Sequence, residues 1–162
     1  KLTISNDQAI ACVTQTTLSL DDTQSIIHAI KKKYSYVIEP KKNDICYATT
    51  NRQNAVKKIA ANCDLFVVIG AINSSNSLRL VEVAKQYGAN NSILIESIDK
   101  FDVSILSTIK SLGVTASASA PEILVNNFIN FLKENFKVTL YEPEYIREDV
   151  IFKIPQQLKT IE

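Results

Sequence analysis

Four short segments of the sequence are crowded with hydroxyl and amide side chains, and each follows an apolar stretch and precedes an amphipathic one. The segments, called polar turns 1 to 4 below, are residues 14–17, 49–53, 73–77 and 115–119. The start of a helix offers free backbone N–H groups and a positive dipole end, and both favour an anion. The hydroxyl side chains of these segments add uncharged hydrogen-bond donors. Several such turns at one edge of a sheet predict a cradle for a phosphate or diphosphate.

Helix capping is the alternative explanation for any single turn, because Ser, Thr and Asn are preferred at the residue before a helix. Turn 3 is harder to explain in this way. One cap needs one side chain, whereas turn 3 reads Asn73-Ser74-Ser75-Asn76-Ser77 directly after an apolar run. The chain has three glycines, which excludes a Walker loop and a Gly-x-Gly-x-x-Gly fingerprint.

The three cysteines are Cys12, Cys46 and Cys63, and Cys46 is the one next to a polar turn. A thiol near helix starts ionises readily and can bind a metal, although a small buried hydrophobic role is the alternative. Cys12 and Cys63 lie in or beside predicted strands and are predicted core residues. No pair has Cys-x-x-Cys spacing, so the residues alone predict no closed metal site. His28 is predicted to lie on the surface of a helix.

Strands and helices must alternate to position these residues, and the pattern predicts an α/β fold with a mainly parallel sheet. The apolar run 65–69 predicts a strand buried on both faces. In such folds ligands bind beyond the carboxyl ends of the strands. Further strands are predicted at residues 8–13, 36–38, 92–95, 109–114, 138–141 and 150–154, with one short helical turn between 97 and 107.

Three helix starts have capping-box spacing, in which a hydroxyl residue precedes an acidic or amide residue by three positions. The pairs are Ser19 with Asp22, Thr50 with Gln53, and Ser119 with Glu122. The third start also has Pro121 in its first turn. Helices are therefore predicted to begin near Leu20, after Thr50, within turn 3 and after Ser119.

The composition is that of an average globular protein, with 46% hydrophobic and 22% charged residues. The net charge is +1, so no nucleic-acid partner is predicted. No apolar run approaches the roughly 20 residues of a membrane span. An odd number of cysteines indicates a reducing compartment. The chain contains no methionine and begins with Lys1, which predicts a piece of a longer protein.

Four stretches around the polar turns resemble signature blocks of the LytB/IspH reductases, in the order that the family has them. They read VTQTTLS from Val13, DICYATTNRQ from Asp44, NSSNS from Asn73 and GVTASASAPE from Gly113. The resemblance extends from about Ala9 to near Phe131, and the tail matches loosely. It implies an iron–sulfur oxidoreductase of isoprenoid synthesis by the non-mevalonate pathway. The family removes the 4-hydroxyl group of 4-hydroxy-3-methylbut-2-enyl diphosphate, giving isopentenyl and dimethylallyl diphosphate.

The resemblance also implies a role for each matching residue. Cys46 would be one of three cysteine ligands of a 4Fe–4S cluster. Thr16 would hydrogen-bond the substrate hydroxyl and relay a proton. The diphosphate would be held by Ser74, Ser75, Asn76 and Ser119. The other two cluster cysteines, the diphosphate-binding histidines and the glutamate proton donor belong to the amino-terminal half of the family. Ala71 and Ser117 depart from the family, which usually has Ser or Gly at the first position and Gly at the second.

The family plan of three similar α/β domains implies a division of this chain. Residues 1–42 would end the second domain, residues 43–133 would form the third, and residues 134–162 would be a tail that returns to the first. A domain boundary is predicted near Pro40. The resemblance further implies a ferredoxin or flavodoxin-type electron donor, no membrane partner, a bacterial cytoplasmic or plastid-type location and no activity of this carboxy-terminal half alone. A stand-alone α/β module that binds a phosphorylated metabolite is the alternative.

Overall fold

The computed structural model describes residues 4–5, 8–39, 44–141, 151 and 153–158. It contains two parallel sheets flanked by helices, which confirms the predicted fold class. The smaller sheet pairs β1 (Ile10–Ala11) with β2 (Val37–Ile38). The larger sheet has the order β4-β3-β5, with β3 at Leu65–Ile69, β4 at Asn91–Ile95 and β5 at Leu112–Ala116.

Four α-helices connect or cover these strands: α1 (Leu20–Lys33), α2 (Tyr47–Ile59), α3 (Ser75–Gln86) and α4 (Glu122–Asn135). Helix α1 joins β1 to β2 and helix α3 joins β3 to β4, because parallel neighbours require a long crossover. Shorter 3₁₀ helices lie at Ala60–Asn62, Ile98–Lys100, Val103–Thr108 and Gln156–Leu158. Within the described part of the chain, every helix is too short or too polar to cross a membrane.

Strand β3 is the centre of the larger sheet and is buried on both faces, as its continuous apolar run predicts. Phe66 and Val68 pack against α2 and α3. The alternate residues face the other way and pack with Phe128 of α4. The ring of Phe128 meets Phe101 edge-on, with 5.2 Å between the ring centroids. This two-sided core fixes the carboxyl edge of the sheet.

Other parts of the chain cover the smaller sheet and α1 much less completely than they cover the larger sheet. Thr23 is the buried residue of α1, whereas Val13, Ile26 and Ile38 are 85%, 60% and 51% exposed. Tyr34 at the end of the helix is buried. This region therefore has little apolar core of its own.

Polar contacts attach α1 to the helices of the larger sheet. The Lys57 ammonium lies 2.7 Å from Asp21 Oδ2, and the Tyr87 hydroxyl donates to the same oxygen. Lys57 also lies 5.0 Å from the centroid of the Tyr87 ring. Hydrogen bonds from Lys57 and Tyr87 hold the pKa of Asp21 below its usual value. About two turns nearer the start of α3, Arg79 pairs with Asp22 at 3.2 Å.

Some predicted elements differ from the structure. Residues 138–141 are irregular, because no strand among the described residues pairs with them. Two 3₁₀ helices replace the single turn predicted between 97 and 107. Strand β5 lies two to three residues later than predicted. Strand 150–154 and the boundary near Pro40 include positions outside the described residues.

Candidate functional site

The carboxyl ends of β3, β4 and β5 lie at one edge of the larger sheet, because the strands pair in register. Ile69 lies opposite Ile95 on one side and Ala116 on the other. Turn 3 follows β3, and turn 4 begins with the last two residues of β5 and continues beyond the strand. Helix α2 reaches the same edge, since Arg52 Nη1 donates to the Ala116 carbonyl oxygen at 3.0 Å. Three of the predicted site segments therefore meet here.

Turn 1 contacts this edge although it belongs to the smaller sheet. The Cys46 amide donates to the Thr16 carbonyl oxygen at 3.0 Å. The hydroxyl oxygens of Thr17 and Ser75 lie 3.0 Å apart. The structure thus places Thr16 beside Cys46, and both residues are exposed.

Turn 3 combines a helix cap with a buried amide. Ser74 Oγ accepts a hydrogen bond from the Ser77 amide at 3.3 Å and caps α3. Asn76 is 6% exposed, and neither Oδ1 nor Nδ2 has a hydrogen-bond partner among the described residues. An unpaired buried polar group costs about 1–3 kcal/mol. The Nδ2 group is a donor that suits a phosphate oxygen, and helix N–H groups lie beside it.

Turns 3 and 4 meet at Gly70. A methyl group at Gly70 would collide with Ser77 Oγ and would lie 2.9 Å from Ser117 Oγ. Both serines are buried. Ser117 Oγ in turn lies 3.5 Å from Ser119 Oγ, and Ser119 is exposed. The Ser77 and Ser117 hydroxyls therefore both border the space that a side chain at Gly70 would fill, at the point where the start of α3 meets turn 4.

Two of the predicted helix starts are wrong. Helix α2 begins at Tyr47 with Cys46 as its N-cap, so Thr50 and Gln53 lie inside the helix and turn 2 is not a turn. The Thr50 amide donates to the Cys46 carbonyl oxygen, which makes Thr50 part of the first helical turn. Helix α4 begins at Glu122 with Pro121 as its N-cap, so Ser119 lies outside it.

These corrections bear on the capping alternative. Ser19 and Ser74 do cap their helices through their side chains. Helices α2 and α4 have no side-chain cap. Capping therefore explains Ser19 and Ser74 but does not explain the polar groups of Asn76, Ser117 and Ser119.

The prediction of a core position is confirmed for Cys63 but not for Cys12. Cys46 is exposed, Cys12 is half-buried and Cys63 is buried. Cys63 Sγ donates to the Ile59 carbonyl oxygen at 3.3 Å, and burial raises the pKa of its thiol. His28 is exposed on α1, as predicted. In the parts of the chain that the structure describes, no group of three or more His, Cys, Asp and Glu side chains could hold a metal.

Two residues of α2 have site contacts that the sequence did not indicate. Gln53 is fully buried and binds the backbone on both sides of Ser19, whereas the sequence pattern gives it a capping role. Arg52 holds the end of β5. Both roles depend on contacts more than 30 residues away along the chain, and no local pattern encodes such contacts.

The parallel sheets, with polar helix starts at their carboxyl edge, define an α/β protein, a class in which ligands bind at this edge. The chain belongs to the LytB protein family, whose match covers residues 1–133. It is 50% identical over 149 residues to a 4-hydroxy-3-methylbut-2-enyl diphosphate reductase of Phenylobacterium zucineum, covering 92% of this chain and 47% of that protein. The reductase of Histophilus somni is 47% identical over 162 residues, which is 100% of this chain and 51% of the relative.

A solved structure supports the same assignment. The chain resembles the E-1-hydroxy-2-methyl-but-2-enyl-4-diphosphate reductase of Plasmodium falciparum with a TM-score of 0.90 and 34% identity. The match covers 98% of this chain and 50% of the Plasmodium chain. The chain therefore spans about half the length of the relatives and of the structure that it matches.

Proposed function

We propose that this chain is the part of a 4-hydroxy-3-methylbut-2-enyl diphosphate reductase that binds the diphosphate group and supplies one cluster cysteine. The names of the curated relatives support the activity. The observation that carries the proposal is the backbone hydrogen bond from Cys46 to Thr16, together with the 3.0 Å approach of the Thr17 and Ser75 hydroxyls that joins turn 1 to the turn with the buried, unpaired Asn76 amide. These contacts bring Thr16 next to Cys46 and bring turn 1 to the start of α3.

The proposed roles combine the family resemblance with these contacts. Asn76 donates through Nδ2, and the exposed hydroxyls of Ser75 and Ser119 donate from the two sides of the edge, while Ser74 orients the start of α3. Binding therefore relies on neutral donors and on helix N–H groups. Thr16 binds the substrate hydroxyl and passes a proton to it, so that the hydroxyl can leave as water.

The donor set fits one position of an iron–sulfur cluster. Cys46 is the exposed cysteine, and its backbone amide is fixed by Thr16, whereas the buried Cys63 is unsuited to a ligand role. When bound, a 4Fe–4S cluster would pass the two electrons of the reduction, one at a time, from the external donor. The remaining ligands come from the half of the reductase that this chain does not match. We further propose the domain division 1–42, 43–133 and 134–162, a ferredoxin or flavodoxin-type donor and a bacterial cytoplasmic or plastid-type location.

The test is a full-length reductase in which this chain follows the amino-terminal half of the Phenylobacterium zucineum relative. The unchanged chimera is expected to bind iron and to consume the substrate. Cys46→Ser should abolish turnover and the visible absorbance of the cluster. Cys12→Ser is the matched control and should keep both. The proposal fails if the unchanged chimera binds a cluster but never consumes the substrate, or if Cys46→Ser keeps both properties.

The diphosphate roles have their own test in the same chimera. Asn76→Ala should raise KM by about 10- to 100-fold, because a hydrogen bond to a charged group contributes about 1.5–3 kcal/mol. Asn73→Ala changes an exposed residue of the same turn and should leave KM within about twofold. Equal KM values for the two variants would remove Asn76 from the binding site and would favour a purely structural turn.

A further inference from the structure

Helix α2 carries two adjacent side chains that reach the two sides of the candidate site. Arg52 and Gln53 lie about two helical turns after Cys46. Gln53 is fully buried and Arg52 is half-buried. Neither has a role in the mechanism proposed above, which leaves two well-placed polar residues of α2 to be explained.

Gln53 holds the segment that leads from turn 1 into α1. Its Nε2 donates to the Leu18 carbonyl oxygen at 3.0 Å, and its Oε1 accepts from the Leu20 amide at 3.3 Å. The Cys46 amide holds the Thr16 carbonyl oxygen at 3.0 Å. Residues 46 and 53 lie on the same face of α2, because seven residues make nearly two turns. The segment 16–20 is therefore fixed at both ends by one helix.

Arg52 fixes the opposite side of the candidate site, where β5 leads into turn 4. Its guanidinium donates to the carbonyl oxygen of Ala116, the last residue of β5, at 3.0 Å. Ser117 follows directly, and its hydroxyl lies 3.5 Å from that of Ser119. Because a buried backbone carbonyl needs a partner, the loss of Arg52 would free the backbone from which turn 4 begins.

We infer that Arg52 and Gln53 are positioning residues with separate effects, and this inference depends on the proposed function. Gln53 sets the position of Thr16 relative to Cys46 and so affects the chemical step. Arg52 sets the position of Ser119 and so affects diphosphate binding. A merely structural role for either residue would lower stability without separating these two effects.

The kinetic test uses the full-length chimera. Gln53→Leu keeps the side-chain size but loses both hydrogen bonds, and kcat should fall by about 10- to 100-fold, as expected for a displacement of about 1 Å. Its KM should stay within about twofold. Arg52→Leu should raise KM by about tenfold, as expected for the loss of about 1.4 kcal/mol of binding, with a smaller change in kcat. Lys58→Leu changes an exposed residue of α2 and should alter neither constant.

A conservative variant sharpens the assignment of Gln53. In Gln53→Glu the carboxylate can accept from the Leu20 amide but cannot donate to the Leu18 carbonyl oxygen. Burial raises the pKa of such a carboxyl group, and the protonated form restores the missing donor. The ratio of kcat in this variant to kcat in the unchanged protein should therefore rise as the pH is lowered from about 8 to about 6. A ratio that does not change with pH contradicts the hydrogen-bond role.

Amide hydrogen exchange at Cys46 supplies a readout that does not need turnover. The Cys46 amide should exchange slowly in the unchanged chimera and several-fold faster in Gln53→Leu, since the bond to Thr16 loses its second anchor. If the unchanged chimera has no activity but the Cys46 amide exchanges faster in Gln53→Leu, the proposed function fails while the positioning role of Gln53 survives. Unchanged exchange at Cys46, or equal effects of both variants on kcat and KM, overturns the inference.

Discussion

The two sheets of this chain are held in place by different forces. Strand β3 of the larger sheet is apolar over its whole length and buried on both faces. The smaller sheet and α1 leave Val13 and Ile26 mostly exposed. Polar contacts such as Lys57–Asp21 and Gln53–Leu18 attach this region to its neighbour. One half of the candidate site is therefore set by core packing and the other half by hydrogen bonds and ion pairs.

This difference matters because Thr16 and Cys46 lie on opposite sides of the division. Apolar packing tolerates small shifts poorly, so turns 3 and 4 have a fixed geometry. The position of Thr16 instead depends on a few directional bonds, each contributing about 0.5–1.5 kcal/mol. Substitutions can therefore separate the two halves, and the following predictions are arranged by the size of the expected effect.

Phe128→Ala should have the largest effect on the free energy of unfolding. The side chain is completely buried and packs on Phe101, and such a truncation costs about 3–5 kcal/mol. Chemical denaturation followed by circular dichroism would measure this loss in free energy of unfolding. A loss below about 1 kcal/mol would mean that the larger sheet is no better packed than the smaller one.

Gly113→Ala should destabilise the larger sheet by overpacking. A methyl group there would lie 2.5 Å from the Phe66 ring and 2.8 Å from Cys63 Sγ, and overpacking costs about 1–3 kcal/mol. The same denaturation measurement applies. Combination with Cys63→Ala, which removes the Cys63 Sγ contact but leaves the closer Phe66 contact, should recover some of the loss. An additive double variant would contradict the steric explanation.

Asp21→Asn tests the polar attachment of α1 and should cost about 0.5–1 kcal/mol at pH 7, because the pair with Lys57 is partly exposed and screened. The pKa of Asp21 is lowered in the folded chain, so its stabilisation is complete above the usual value of 3.8. It is lost as the pH falls through the lower, folded pKa. The difference in free energy of unfolding between Asp21→Asn and the unchanged chain should therefore disappear at low pH.

The control for this pair is Asp99→Asn, at an exposed aspartate. It should leave the free energy of unfolding within about 0.5 kcal/mol at every pH. A difference between Asp21→Asn and the unchanged chain that persists below the folded pKa would show that packing, and not charge, attaches α1.

Ile26→Ala should have the smallest effect, within about 0.5 kcal/mol, because the side chain is 60% exposed. Ile95→Ala is the matched comparison in the larger sheet, where the side chain is 4% exposed and the loss should be about 2–5 kcal/mol. Similar losses at the two positions, measured by denaturation, would contradict the distinction drawn between the two sheets.

The sequence predicted the fold where local patterns are strong. The apolar run of β3, the Ser19 cap of α1 and the start of α3 within turn 3 were found because they depend on neighbouring residues. The start of α2 was misplaced because Cys46 is fixed by Thr16, which lies 30 residues earlier in the chain. Ser119 was assigned to a cap because its spacing to Glu122 is right, although Pro121 is the N-cap.

The same limit applies to the candidate site. The clustering of polar side chains in turn 3 was visible in the sequence, but the burial of Asn76 without a partner was not. Nor could any pattern show that Gln53 reaches Leu18 or that Arg52 reaches Ala116. Side-chain contacts across the fold depend on how the sheets and helices pack, and the local sequence does not contain that information.

The strand order of the larger sheet also has a consequence for the synthesis of the chain. Strand β3 pairs with β4 and β5, and Leu65 meets Leu112, about 47 residues later. The buried centre therefore cannot be completed until β5 has left the ribosome. Until then Leu65, Val67 and Ile69 lack the partners that β5 and α4 supply, and exposed apolar strands favour aggregation. During translation β3 is thus the segment that most needs protection by a chaperone.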